Sequence, residues 1–144
     1  MKRSSLVVFS LFLILIACHR QEDLGQEKNR PESAGQSAGS VLVTYELNLD
    51  FSKYKVTFIE LGADRCIPCR QMQPIMREIA AEYPNQVLVV FYDVWKNPAP
   101  AEYYKIQLIP TQVFIDEQGH EIFRHVGFFP KEEIVKFLKE HGVK

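Results

Sequence analysis

No run of lysine or arginine follows the first three residues, and the formal net charge is only -1. Binding to phosphate backbones needs a concentrated basic surface, so no nucleic-acid partner is expected. Cysteine is scarce: three in all, at 18, 66 and 69, with no second Cys-x-x-Cys. The four histidines, His19, His120, His125 and His141, form no closely spaced pair. A structural zinc site needs about four ligands, so neither a metal nor any other cofactor is expected. No apolar stretch reaches the roughly 20 residues that a permanent membrane-spanning helix requires. Repeats and long charge blocks are also lacking. What remains is a chain of 144 residues, 47% hydrophobic and 24% charged, which fits one globular domain plus extra sequence.

That extra sequence lies at the N-terminus. Lys2 and Arg3 give a positive start, and Leu6 to Ala17 is apolar except for Ser10. The pattern predicts an export signal over residues 1–17. It ends in Leu15-Ile16-Ala17-Cys18, which resembles the lipobox of bacterial lipoproteins. The resemblance implies cleavage before Cys18 and lipidation of its sulfur, holding the chain at the membrane. His19 rather than Asp follows, which in that family's sorting pattern leans towards the outer membrane of a two-membrane bacterium. An uncleaved anchor, or a secretory signal that happens to carry a cysteine, is the alternative. Without Lys2 and Arg3 the chain holds 15 basic and 18 acidic residues. Residues 18–40 carry almost no large apolar side chains after the first few, so they read as a flexible tether. The folded domain is expected over 41–144.

Within it, Val41, Val43, Tyr45, Leu47 and Leu49 alternate as in a half-buried strand. Lys55 to Leu61 predicts a central strand, and Gln86 to Val94, almost unbroken in its apolar character, a buried one. Pro68 to Tyr83 predicts a helix with Pro74 inside it. Ala99 to Ile106 predicts a short helix opened by Asn97-Pro98. Thr111–Asp116 and Glu121–Val126 read as a hairpin around Glu117-Gln118-Gly119-His120. Lys131 to His141 closes the chain as an amphipathic helix with Ile134, Val135, Phe137 and Leu138 inward and Gly142 past its end. The order β-β-α-β-α-β-β-α predicts an α/β fold, a mixed sheet with helices on both faces. Trp95, Tyr103 and Tyr104 read as packing groups, His120 and His125 as surface residues, and Met72 and Met76 as core or rim packing.

Cys66-Ile67-Pro68-Cys69 falls between the central strand and the start of a helix. A helix N-terminus offers unpaired N–H groups and a positive dipole end, which favour a thiolate. The thiolate is the nucleophile of disulfide exchange, so such a site raises the reactive fraction near neutral pH. Two intervening residues let the second cysteine attack a mixed disulfide made by the first. Pro68 suits the first helical turn, where its missing N–H needs no partner. Arg65 and Arg70 flank the pair, although exposed arginines are largely screened. A static structural disulfide is the competing reading in an oxidising compartment, but so small a loop removes little unfolded-state entropy.

From Lys55 to Lys139 the chain resembles thioredoxins, on Ile59 to Arg70 with its cysteine pair, on Pro74, on Asn97-Pro98, on Ile109-Pro110-Thr111 and on Gly127. The resemblance implies a thioredoxin fold and a thiol-disulfide oxidoreductase. It implies that Cys66 attacks, that Cys69 resolves, and that Pro110 is cis and faces the sulfurs. The Ile109 backbone would pair with an extended substrate segment, and Gly127 would let that substrate approach closely. Glu60 stands where thioredoxins place a buried Asp; there it would have a raised pKa and take the resolving thiol's proton. Envelope thiol reductases of cytochrome c maturation often carry Glu at this spot; a solvent-facing glutamate is the alternative. Arg65 replaces the family's tryptophan, and Phe91 and Tyr92 occupy the strand that carries its lysine.

The leading expectation is therefore a monomeric, lipid-anchored reductase on the extracytoplasmic side of the membrane. It would act on disulfides of exported proteins and be re-reduced by a membrane thiol donor. An envelope oxidase or isomerase shares every cysteine argument and differs only in redox poise. A metal chaperone or redox-inert adaptor on the same fold is the third option, although copper chaperones of this superfamily use a wider cysteine spacing.

Overall fold

The computed structural model describes residues 38–144, so Cys18, the expected signal segment and the expected tether as far as residue 37 lie outside the described residues. Five strands form a single sheet: β1 (Leu42–Val43), β2 (Val56–Gly62), β3 (Val87–Asp93), β4 (Thr111–Asp116) and β5 (Glu121–Val126). Their order across the sheet is β1-β3-β2-β4-β5. β1, β3 and β2 run parallel, whereas β4 and β5 are antiparallel to their neighbours. The helices are α1 (Ile67–Glu82), α2 (Ala99–Tyr103) and α3 (Lys131–Glu140). Among the described residues no helix is long and apolar enough to cross a membrane.

β2 and β3 are buried along their whole length. Period two then sends alternate residues to opposite faces. Val56 and Phe58 of β2, with Val87, Val89 and Phe91 of β3, meet Met72, Met76 and Ile79 of α1 and Ile134 and Leu138 of α3. Ile59 and Leu61 point the other way, to Val90, Tyr92, Val113 and Tyr104. Helix α1 forms because Cys69, Met72, Met76, Ile79 and Ala80 recur at helical spacing and are all buried. Glu132 and Glu133 open α3 and Lys139 closes it, each complementing the helix dipole. Gly142, at φ +84°, takes the left-handed position that ends it.

Three expectations need correction. The strand over 41–49 shrinks to two paired residues. Leu42, Leu47 and Leu49 pack on the core, while Val43 and Tyr45 are exposed. Residues 42 and 47 have opposite parity, so no continuous strand could bury both, and the chain leaves the sheet after Thr44. A 3-10 turn, Phe51–Lys53, follows instead, with Asp50 accepting from the Ser52 N–H. The short helix ends at Tyr103, not Ile106, and Lys105 adopts φ +54°. Only Tyr104 of the three aromatic packing candidates is buried; Trp95 and Tyr103 are 62% and 60% exposed. The expected mixed sheet with flanking helices is present, and on its second face Ala101 of α2 and the adjoining Tyr104 are joined by Leu47, Leu49, Phe51 and Tyr54.

Candidate active site

Strand β2 ends at Gly62, and four residues later Cys66 caps α1. Cys66 and Cys69 are joined as a disulfide. The Cys69 N–H lies 3.3 Å from the Cys66 Sγ, so a backbone donor already points at the sulfur that becomes a thiolate on reduction. Cys66 retains 9% of its surface and Cys69 none, so only Cys66 is open to an incoming disulfide. Ile67 is exposed at 73%, Pro68 half-buried, and both Arg65 and Arg70 are exposed.

The loop between β2 and α1 is clasped from the side. Asp93, at the end of β3, accepts from the Trp95 and Lys96 N–H groups and pairs with the Lys96 ammonium at 3.1 Å. Lys96 also pairs with Asp64, and the Asp64 N–H reaches Asp93. Burial alone would raise the Asp93 carboxyl, but these hydrogen bonds hold it below its usual range. Nothing in the sequence pattern singled out this clasp.

Gly62 was also passed over. A Cβ there would lie 3.1 Å from Cys69 Cβ and 3.3 Å from Cys69 Sγ. Any larger residue at the end of β2 would have to push Cys69 or Phe91 aside by a few tenths of an ångström. Because Glu60 is two residues earlier on the same strand, it shares the face that Gly62 opens towards Cys69. Glu60 is fully buried, which excludes the solvent-facing alternative. Burial pushes its carboxyl up to about 8, and a hydrogen bond from Gln112 partly offsets the rise. Phe91 and Gln112 are its partners across β3 and β4.

Gln112 is the largest omission of the sequence reading. It is fully buried, and its Nε2 donates to Glu60 Oε2 at 2.9 Å and to the Gly127 carbonyl at 3.1 Å. Its own Oε1 and the Glu60 Oε1 have no partner among the described residues. An unpaired buried polar atom costs about 1–3 kcal/mol, so this arrangement is held at the expense of stability.

The Ile109–Pro110 peptide is cis, Pro110 is buried, and Ile109 packs against Ala63, Cys66 and Cys69. Gly127 donates to the Pro110 carbonyl at 2.8 Å, which ties the two loops together. Gly127 has φ +98° and open space where a Cβ would stand, so its backbone angle, not crowding by this chain, is what demands glycine. Among the described residues no cluster of three His, Cys, Asp or Glu side chains is placed to hold a metal ion.

The raised Glu60 carboxyl makes stability depend on pH. In the unfolded chain this group ionises near 4.5, in the folded chain near 8, so folding is opposed increasingly between those values. The oxidised protein should lose a few kcal/mol of stability as pH rises from about 5 to 8, with the disulfide contributing no titration. Glu60→Gln should flatten that slope in denaturant melts. An unchanged slope would show that Glu60 does not ionise late.

Residues 41–140 match the family described as Thioredoxin. Thioredoxin of Staphylococcus aureus is 33% identical over 86 residues, which span 60% of this chain and 82% of that protein. Among solved structures, an N21Q mutant thioredoxin from Halobacterium salinarum NRC-1 superposes with a TM-score of 0.65 at 24% identity, covering 74% of this chain and 94% of that one. Thioredoxin f from spinach chloroplast, short form, gives 0.62 at 18% identity, covering 72% and 95%. At those identities the structures speak for the fold: a five-stranded mixed sheet with flanking helices. With the family match across most of the described chain, and a Cys-x-x-Cys disulfide at the mouth of its first helix, this chain belongs to the thioredoxin family and is a thiol-disulfide oxidoreductase.

Proposed function

We propose that this oxidoreductase is a lipid-anchored reductase of the cell envelope that opens disulfides in exported proteins and is re-reduced by a membrane thiol donor. The observation that carries the reductase direction is Glu60, a buried acid on the strand face that Gly62 opens to Cys69. A strong oxidant is one whose reduced form is stabilised, chiefly as a thiolate. In its ionised form a neighbouring carboxylate disfavours a second negative charge and so works against that stabilisation. The exposed arginines at 65 and 70 would favour the thiolate, but solvent and salt screen them.

In the forward reaction the Cys66 thiolate attacks one sulfur of the substrate disulfide, forming a mixed disulfide and expelling the other sulfur as a thiolate. Glu60 takes the proton from the Cys69 thiol. The Cys69 thiolate then attacks Cys66, the Cys66–substrate bond breaks, and the substrate leaves with its second thiolate. Two electrons pass from the dithiol to the substrate, and the internal disulfide remains. An extended substrate segment pairs with the Ile109 backbone beside the open side of Gly127.

The envelope location is supported by Lys2 and Arg3, the apolar run to Ala17 and the lipobox-like Leu15 to Cys18. Radiolabelled fatty acid should enter the wild-type chain and not Cys18→Ser. Redox titration of the Cys66–Cys69 pair tests the direction: a potential towards about -270 mV is expected. A value near about -120 mV would make the protein an oxidase.

A further inference from the structure

We propose that Gln112 is a positioning residue that sets how readily Glu60 takes the Cys69 proton, through the hydrogen bond from its Nε2 to Glu60 Oε2. The inference rests on the assignment of Glu60 as proton acceptor made above. Gln112 stands opposite Glu60 in the β2–β4 register, so the pair is fixed by strand pairing and not by a mobile loop. Both side chains are fully buried, and the contact is 2.9 Å.

The amide orientation is chemically forced. Nε2 lies against the Glu60 carboxyl and the Gly127 carbonyl, and because that carbonyl can only accept, the opposite flip would set oxygen against oxygen there. A donor held on Oε2 favours the carboxylate, whereas burial favours the acid. Oε1, with no donor aimed at it, is left as the atom that receives the proton. The surroundings offer no other lever. Phe91 stands beside Glu60 on β3 and Gln112 on β4, Cys69 of α1 lies against Gly62 on the same strand face, and among the described residues no lysine, arginine, histidine or second acid acts on Glu60. Gln112 thus does with a neutral dipole what a nearby cation would do with charge. Its second hydrogen bond, to Gly127, links that setting to the loop expected to receive substrate.

The proton that moves is the one on Cys69 Sγ. It passes to Glu60 Oε1 as the Cys69–Cys66 bond forms and the substrate thiolate departs, and it is released when the pair is reduced again.

Gln112→Met keeps the volume and removes both donors. In the full chain, the rate of mixed-disulfide resolution should rise with pH along a limb that Glu60→Gln abolishes. Gln112→Met should move the midpoint of that limb up by about one pH unit or more, a tenfold change in proton affinity. The Glu60 side-chain carboxyl carbon, followed by NMR in the oxidised chain, should shift its midpoint in the same direction. If Glu60→Gln abolishes the limb but Gln112→Met leaves both midpoints in place, the role of Gln112 is overturned and that of Glu60 stands. If Glu60→Gln leaves the limb intact, the proton-acceptor assignment fails and this inference fails with it. Should Gln112→Met fold poorly, Gln112→Leu is measured in the same way with the same criteria.

Discussion

Cys66→Ser is expected to reduce protein-disulfide reduction by at least about a thousandfold, to the background of uncatalysed exchange, because among the described residues no other sulfur is open to the substrate. Cys66 is the sulfur with exposed surface and the one that a helix N–H addresses. A serine hydroxyl at the same place stays protonated at any accessible pH and cannot attack sulfur. Cys69→Ser should behave differently. Attack at Cys66 does not use the Cys69 sulfur, so the mixed disulfide forms, and with no resolving thiol it persists. Non-reducing electrophoresis or intact-mass measurement should show stoichiometric adducts with Cys69→Ser and none with Cys66→Ser. Normal turnover in Cys66→Ser, or adducts on Cys69 in preference to Cys66, would reverse the assignment.

That asymmetry follows from where α1 begins. The helix starts at Ile67 with Cys66 as its cap, so one sulfur stands at the mouth and the other is one turn inside, against Gly62. Moving the start of the helix by a single residue would exchange neither cysteine type nor spacing, yet it would remove the backbone donor from Cys66. The chemistry is thus a property of the strand-to-helix junction, and β2 and the Asp93–Lys96 clasp hold that junction in place.

Much of this was legible in sequence because period and spacing carry it. The apolar runs of β2 and β3, the Glu117 to His120 turn, the helical spacing in α1 and α3, and the Cys-x-x-Cys pair all obey local rules. The segment after Ser40 misled because its alternation is real over short stretches but changes parity between Leu42 and Leu47, and tertiary packing alone decides which residues turn inward. Trp95 looked like a packing group because large aromatics usually are, but its neighbours Asp93 and Lys96 hold a turn that projects it outward. Gln112 was invisible for a different reason. A polar residue in an apolar strand reads as solvent-facing, and here it faces a buried acid on a strand 52 residues earlier. One signal could have exposed it: Gln112 shares parity with Phe114, a core residue, so it had to point inward and find a partner.

Phe114→Ala should be the most destabilising single core change. Strand register places Phe58, Phe114 and Phe123 side by side across β2, β4 and β5. The Phe58 and Phe114 rings stack at 4.9 Å, and Phe123 follows at 5.8 Å. Phe137 from α3 lies 4.9 Å from Phe114, and Phe129 meets it edge-on at 6.3 Å. Removing this ring leaves a cavity touched by three strands and a helix, and neighbours fixed by strand pairing cannot collapse into it. The cost should be about 3–5 kcal/mol, a large share of the roughly 5–15 kcal/mol that holds a domain together. For a domain of about 100 residues this lowers the melting temperature by at least about 12 °C. Trp95→Ala removes a larger ring from the surface and should cost less than about 0.5 kcal/mol. A loss below about 1 kcal/mol for Phe114→Ala would mean that α3 does not pack on this sheet face. Gln112 sits two residues before Phe114 on the same face, so the ring that supports the core also fixes the strand that carries the hydrogen bond to Glu60.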